Sequence, residues 1–599
     1  MTGTTLDVIP LASARTLAGL FRERAKRTPE AVAYAYFDPH AHKWRSHTWA
    51  GMKTEVARWQ AAFENEGLAR GARVAVMLKN CCEWVCCEQA ALGLGLVVVP
   101  LFYNDRAENV AYVLGDCGAE WLLIGGADTW QTLAPVAERL GTVKSIVTVQ
   151  PVAAADSRVR ALTHWLPASG GGLRAREAGP EDLATIVYTS GTTGNPKGVM
   201  LSHHNILSNT WACTQAVTVY REDVFLSFLP LSHMYERTVG YFLPMMAGAQ
   251  VTYARSVPQL ADDLLTVRPT ILICVPRIFE RIHMRLKEKL DSGPAFKRRL
   301  FERAVTVGWA RFEHQQGRTQ EVPGTWQWPL LKALVANKVM ARLGGRLRLA
   351  MSGGAPLSPD VARVFIGLGL PVLQGYGLTE TSPVISTNRL NNNQPASVGP
   401  PIPGVRVRTS DEGELLVRSP GVTPGYWNMP EATAALIDEQ GWLHTGDLAR
   451  LDQAGRIYIT GRMKDILVLA NGEKVPPADM EAAVKRDVLF EQVMVLGEGK
   501  PYLSALVVLN AERWPAVAEE LGLAPDTRSL QSSKLHHYLV KRIGAQLSTF
   551  PGYAQVRRVC VMLKPWTVEN GLVTPTLKER RARILEQFQK EIDQLYEGH

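Results

Sequence analysis

The stretch Tyr188-Thr-Ser-Gly-Thr-Thr-Gly-Asn-Pro-Lys-Gly198 decides how this chain is read. It closes a β-rich run, ATIVYTS at 184–190, whose apolar residues suit a buried strand. Gly191, Gly194 and Gly198 let backbone approach a ligand closely. The hydroxyls of Thr189, Ser190, Thr192 and Thr193, with exposed amides, suit phosphate oxygens, and Lys197 adds a mobile positive charge. A Walker A loop has glycine before its lysine and a hydroxyl residue after it; here Pro196 precedes and Gly198 follows. Beyond the loop, Ser202 is placed to cap the helical run HHNILSNTWACTQAV.

Outward from this point, strands and helices alternate. Strands are expected at 224–229, 250–253, 270–275, 347–351 and 371–374, with helices through 246, over 258–267 and over 358–368. Near-continuous apolar strands between helices predict parallel sheets covered on both faces. Ser358-Pro359-Asp360 reads as a cap, a proline at the first helical position and an early acid. From about 277 to 345 the chain is rich in Arg, Lys, Leu and Phe at helical spacing, with breaks at Gly293-Pro294 and Pro323-Gly324, which reads as a helical insertion. Its basic faces suit either a membrane surface or plain solvent. After Asp411 come short strands with Gly turns, GELLVRS and GRIYITG. Past Arg462 a smaller α+β unit follows, with a helix opened by Pro477, and the chain's last helix places Ile584, Phe588, Ile592 and Leu595 on one face. The expectation is an α/β protein: residues 1–461 as a large domain of doubly wound sheets with a β-barrel-like subdomain, and 462–599 as a small mobile α+β domain.

At 599 residues the chain exceeds one hydrophobic core. Its 46% hydrophobic and 21% charged residues are those of an ordinary globular protein, and its formal charge of +9 suits an anionic partner without naming one. The basic residues are dispersed, which argues against nucleic acid. The N-terminus has no secretory pattern, and the longest apolar run, Ala90 to Phe102, is too short to span a bilayer. A cytoplasmic location follows, with peripheral contact at the inner face of a membrane left open. Cys81, Cys82, Cys86 and Cys87 fall within one helical run and read as buried thiols rather than a zinc site.

Further segments join the first one. They are Leu229-Pro-Leu-Ser-His-Met-Tyr-Glu-Arg237, Ser352-Gly-Gly-Ala-Pro356, Gln374-Gly-Tyr-Gly-Leu-Thr-Glu-Thr381, Leu443-His-Thr-Gly-Asp447, Gly461-Arg-Met-Lys-Asp465 and Thr574-Pro-Thr-Leu-Lys578. In order and separation this set resembles the core motifs of the adenylate-forming superfamily: acyl-CoA synthetases, luciferases and peptide-synthetase adenylation domains. The forms at 229–237 and 574–578, with the helical insertion, are most similar to long-chain fatty acyl-CoA synthetases.

The resemblance implies roles. Thr189, Ser190, Gly191, Thr192, Thr193, Gly194 and Lys197 would cradle phosphates. Gly353, Gly354, Ala355, Gln374, Gly375, Tyr376 and Gly377 would border the adenine, and Thr379 would bond a phosphate. Glu380 would hold Mg2+, consistent with hard carboxylate ligation. Asp447 would take the ribose hydroxyls with Arg462 beside it; a simple Asp–Arg ion pair is the competing reading. Lys578 would stabilise two anions as carboxylate meets α-phosphate. Lys464 would be the hinge about which the small domain turns, bringing Gly472 to the coenzyme A tunnel, and His233 would gate that tunnel. His233 and Glu236 at i, i+3 lack a third metal ligand. The implied reaction takes a long-chain fatty acid, ATP and coenzyme A through an acyl-adenylate, with no obligate protein partner evident. Two alternatives stay open. One is a fatty acyl-AMP ligase serving a carrier-protein thiol, disfavoured because no carrier-like domain follows Lys578; the other is a catalytically silent nucleotide-binding scaffold.

Overall fold

The computed structural model describes residues 4–177, 179–189, 196–320, 324–471, 473–574 and 578–597. Two eight-stranded sheets form the larger part. One runs in the order Val384–Thr387, Val372–Gly377, Leu349–Ser352, Ile271–Cys274, Val224–Ser227, Gln250–Tyr253, Val32–Asp38, Lys43–Thr48. It is parallel except at its two edge strands. The other begins Gly425–Tyr426, Lys197–Ser202, Leu183–Thr189 and continues in parallel through Val97–Pro100, Arg73–Met77, Ala119–Ile124, Ser145–Thr148 and Val159–Ala161.

Both sheets are covered on both faces, as their unbroken apolar strands require. Val74 and Val76 join the core between the sheets, while Ala75 and Met77 join another on the opposite face. Ile271 and Ile273 point to the same central core and Leu272 and Cys274 away from it, the two-residue alternation of a strand. Helices Leu17–Arg27, Cys82–Gly93 and His203–Ala216 contribute to that central layer. The helix after Ser202 starts with a capping box: Ser202 Oγ accepts from the Asn205 amide at 3.1 Å, and Asn205 Oδ1 accepts from the Ser202 amide at 2.9 Å. Ser358 behaves differently. It is the N-cap residue of Pro359–Gly367, but its side chain makes no capping bond, so Pro359 at the first position and Asp360 carry that start.

Cys82, Cys86 and Cys87 are buried on one helix, all four thiols of the cluster are free, and no metal-ligating group of three occurs among the described residues. The central layer also holds an ion pair with no exposed side-chain surface: Arg237 Nε donates to Glu88 Oε1 at 2.8 Å and Arg237 Nη1 to Thr185 Oγ1 at 2.8 Å.

Residues 406–462 form a four-stranded antiparallel sheet, Arg406–Thr409, Glu414–Arg418, Leu443–Leu451 and Ile457–Arg462. Beyond it a two-stranded ribbon, Leu467–Val468 with Lys474–Val475, precedes a three-stranded sheet of Phe490–Leu496, Leu503–Leu509 and Val556–Met562. The two cores on this sheet's faces draw only on residues from 467 to 596, Val493 and Val495 to one side, Met494 and Leu496 to the other. The expected last helix is two, Arg581–Gln587 and Gln589–Tyr596, with Ile584, Ile592 and Leu595 buried and Phe588 at the break. The architecture is the α/β fold expected, a large sheet domain followed by a smaller one.

Candidate active site

Lys197 opens its strand opposite Thr189, its antiparallel partner, so the hairpin holds the two together at the end of the sheet. Ser190, Gly191, Thr192, Thr193 and Gly194 lie outside the described residues, as does Gly472. The Lys197 ammonium sits 5.0 Å from the centre of the Tyr426 ring. Tyr426 Oη in turn donates to Glu380 Oε1 at 2.9 Å. Glu380 occupies the single turn Thr379–Thr381 that ends Val372–Gly377, and its carbonyl accepts from the Thr423 amide at 2.8 Å. Burial and the Glu380 charge push the Tyr426 phenol upward, so it stays a donor to that carboxylate.

Asp447 and Arg462 are cross-strand partners. Arg462 Nε donates to Asp447 Oδ1 at 2.7 Å, Tyr376 Oη donates to Oδ2, and the Asp447 amide donates to Thr445 Oγ1 at 3.1 Å. The residue is 4% exposed, and its carboxylate is held on both oxygens. Each oxygen keeps a second lone pair beyond these bonds.

Lys578 is held in a turn: its amide donates to Thr574 Oγ1 at 3.0 Å, and its carbonyl accepts from the Thr574 amide at 2.7 Å. The residue is solvent-accessible, so the desolvation its ammonium feels comes from the walls of a cleft and not from a core. Those walls lower its pKa; the Arg462 charge lowers it further, and Asp447 and Glu380 oppose the shift. His233 is pushed down to about 4, first by burial and then by Lys578. Lys578 therefore shares one field with residues from three distant parts of the chain. Because His233 Nδ1 accepts from the Tyr235 amide at 3.2 Å, this neutral ring is assigned its proton on Nε2.

Two of the site's glycines are required by close approach. A Cβ on Gly353 would stand 2.7 Å from the Tyr235 ring, and one on Gly377 would stand 1.9 Å from the Pro383 carbonyl oxygen. Gly354 and Ala355 are exposed beside them, and Gly375 lies tight against Ser386. Gln374 turns its side chain to the protein: Oε1 accepts from the Leu357 amide at 3.0 Å and Nε2 donates to the Pro395 carbonyl at 2.5 Å. It thereby pins the loop carrying Gly353 to Ala355. Lys464 lies in the turn Met463–Asp465 directly after Arg462; its side chain is outside the description.

A family profile described as "AMP-binding enzyme" matches residues 21–427, and one described as "AMP-binding enzyme C-terminal domain" matches residues 464–599. The chain belongs to the AMP-binding enzyme family. It is 31% identical over 602 residues to a long-chain-fatty-acid–CoA ligase, FadD15, of Mycobacterium bovis, covering 97% of both chains. It is 30% identical over 585 residues to the peroxisomal long chain acyl-CoA synthetase 6 of Arabidopsis thaliana, covering 93% of this chain and 82% of that one. Among solved structures, the anthranilate CoA ligase AuaEII in complex with anthranoyl-AMP superposes with a TM-score of 0.73 at 18% identity, over 98% of this chain and 99% of that one, a likeness of fold.

In this AMP-binding enzyme, residues outside the expected set also adjoin the site. Asn80 Nδ2 donates to Ser227 Oγ at 2.9 Å and to the Leu229 carbonyl at 2.7 Å, and its Oδ1 accepts from the Leu231 amide at 2.9 Å. Ser227 Oγ donates to Glu236 Oε1 at 2.6 Å. This network braces the loop that carries His233. Burial raises Glu236 to about 8, so it is a neutral acid at pH 7. Nothing in the local sequence marks Asn80, which lies 147 positions from Ser227. Tyr426 had one faint signal, an aromatic directly after Gly425. As for a divalent cation, Glu380 commits one oxygen to Tyr426, and no all-protein cage occurs among the described residues. A single carboxylate completed by substrate phosphates suits Mg2+, which keeps waters and rarely takes such a cage.

Proposed function

We propose that this enzyme joins a long-chain fatty acid to coenzyme A in two steps at one site. In the first, a carboxylate oxygen of the acid attacks the α-phosphorus of ATP, the bond to the β-phosphate bridging oxygen breaks, and pyrophosphate leaves. The nucleophile is already ionised at neutral pH, so the demand is for positive charge between two anions rather than for a base. Lys578 and Lys197 supply it, Asp447 accepts hydrogen bonds from the ribose hydroxyls with Arg462 and Tyr376 holding it in place, and Thr379 bonds a phosphate. Glu380 would hold Mg2+, which when bound neutralises phosphate charge. In the second step the thiolate of coenzyme A attacks the acyl carbon, the acyl–phosphate oxygen bond breaks, and AMP leaves. His233, with its proton on Nε2, acts in this reading as a neutral donor lining the thiol's path and not as its base. The domain from 462 onward moves between the steps about Lys464, withdrawing Lys578 and presenting the turn around Gly472.

The observation that most supports this reading is the field that Lys578 shares with Glu380, Asp447, Arg462 and His233. Binding a nucleotide alone would not need a lysine there. The full-length similarity to ligases named for long-chain fatty acids supports the choice of acid. The test offers the purified protein ATP, Mg2+, coenzyme A and acids of increasing chain length, and quantifies acyl-CoA, AMP and pyrophosphate. Long-chain acyl-CoA with equal AMP is expected. AMP without acyl-CoA would move the reading to a carrier-protein acceptor, and no product with any acid would leave only nucleotide binding.

A further inference from the structure

The helical insertion leaves the first eight-stranded sheet after Ile271–Cys274 and returns to it at Leu349–Ser352. Its helices span Pro276–Asp291 and Ala295–Gln315, followed by consecutive helical turns over 325–342. Inward, Leu331, Val335 and Ala336 of the last run pack against Ala304, Val305 and Val307. A surface helix packed on one face should be polar on the other. This one is not. Trp326, Leu330 and Leu334, spaced i, i+4, i+8 and so on one outer face, are 83%, 64% and 43% exposed. Pro329 and Ala333, also exposed, lie among them. Phe296, at the start of the neighbouring helix, is exposed as well.

The charge is as uneven. Residues 276–342 hold fourteen Lys and Arg against six Asp and Glu, a net +8 of the whole chain's +9. The other eight-ninths of the molecule is nearly balanced. Lys332 and Lys338 are exposed on the same run as the apolar side chains, and Lys297, Arg298 and Arg299 follow Phe296. Tryptophan and leucine outward with lysine and arginine around them is the composition of an interfacial helix. No helix among the described residues is long and apolar enough to cross a membrane, so the contact would be with a surface.

We infer that the Trp326–Leu330–Leu334 face docks this enzyme onto an anionic lipid bilayer, its apolar side chains among the head groups and the surrounding lysines and arginines against their phosphates. A second copy of the chain is a poor occupant, because two faces of net +8 repel. The insertion departs from the sheet at Val275, whose side chain faces Gly354 of the candidate site, and docking would hold the enzyme at the bilayer in which long-chain acids dissolve. That last link rests on the fatty-acid reading; the docking itself does not.

The test is flotation of the full chain, without substrates, on vesicles of phosphatidylcholine with or without a fraction of phosphatidylglycerol. Wild type should float with the mixed vesicles and far less with the neutral ones. Trp326→Ser/Leu330→Ser/Leu334→Ser should lower the partition coefficient by about tenfold or more, with thermal unfolding unchanged because these side chains are exposed. Lys332→Glu/Lys338→Glu should lower binding to the mixed vesicles by about tenfold or more while leaving binding to neutral ones as it was. A wild type that stays in solution, a triple variant that floats equally well, or a wild-type dimer that the triple variant dissolves would each overturn the inference. Acyl-CoA synthesis from a short soluble acid, run on the same preparations, separates the two readings. Flotation by a protein that makes no acyl-CoA from any acid counts against the ligase reading alone, and synthesis by a protein that never floats counts against docking alone.

Discussion

Asp447→Asn isolates the contact that decides between a nucleotide site and a plain ion pair. The exchange keeps shape and removes charge. Its one oxygen can still accept from Arg462 Nε, and its amide can donate to Tyr376 Oη once that hydroxyl rotates, so both existing partners at Asp447 can be kept. What is lost inside the protein is the charge assistance of those bonds, about 1 kcal/mol each, and less on the Arg462 side because that side chain is half exposed. What is lost toward ATP is larger. A carboxylate with a spare lone pair on each oxygen can accept from both ribose hydroxyls, whereas asparagine offers a single, uncharged acceptor oxygen shared with Arg462. Two hydrogen bonds to a charged acceptor fall to one weak neutral contact, a change of about 1.5–3 kcal/mol, or about tenfold to 150-fold in kcat/KM for ATP. The assay is initial pyrophosphate release at varied ATP, for both proteins, with ATP and with 2′,3′-dideoxy-ATP. In this cycle the variant should lose much less than wild type on removal of the hydroxyls, since only one weak contact remains to be lost. If wild type and variant lose the same factor on removing the hydroxyls, Asp447 does not hold the ribose, and its bond to Arg462 is a structural pair only.

The other expectations concern charge placed in different surroundings. Lys578→Ala should depress acyl-adenylate formation while leaving thioester formation from supplied acyl-AMP, since the lysine is needed only where two anions meet; equal loss in both half-reactions would contradict that role. Glu88→Gln should destabilise the fold by about 3–5 kcal/mol in urea unfolding, because Arg237 stays buried with its counter-charge gone; a loss under about 1 kcal/mol would mean that water reaches the pair. Glu236 is raised from the usual carboxylate range to about 8, so between about pH 4.5 and 8 the folded state holds a proton that the unfolded state has released. Its contribution to stability thus falls as pH rises through that window. Glu236→Gln should gain stability relative to wild type at pH 8 compared with pH 5, measured by thermal unfolding at both; an equal difference at the two values would mean that Glu236 is ionised throughout.

What can be read from the amino-acid order is whatever depends on local pattern. The alternation at Val74–Met77 and Ile271–Cys274 reports burial on two faces, because a strand's side chains must point to opposite sides. Pro294 and Gly324 mark the helix breaks of the insertion for equally local reasons: one cannot continue a helix, and the other takes a left-handed turn at φ 77°. Asp447, Arg462, Glu380 and Lys578 can be nominated because each sits in a short segment of recognisable form.

Their relation to one another is not legible in that way. Tyr426 reaches Glu380, Asn80 braces Ser227 and the loop of His233, and the cleft around Lys578 lowers its pKa, all across separations that no periodicity spans. The side chain of Gln374, nominated for the nucleotide, also bonds two backbone groups, a choice made by neighbours at Leu357 and Pro395. The outer face of Trp326, Leu330 and Leu334 is the clearest case. By composition that run mixes Trp, Leu and Val with Lys332, Lys338 and Arg342, so its apolar residues do not by themselves say which face is buried. Only the packing decided which of its faces met a core and which was left to meet something else. The sequence alone determined the α/β class, the order of the elements and the types of residue available for phosphate, ribose and cation. Tertiary structure decided which of those residues share a field, because electrostatic and hydrogen-bond energies depend on distance and local dielectric, and the sequence specifies these only once the chain is folded.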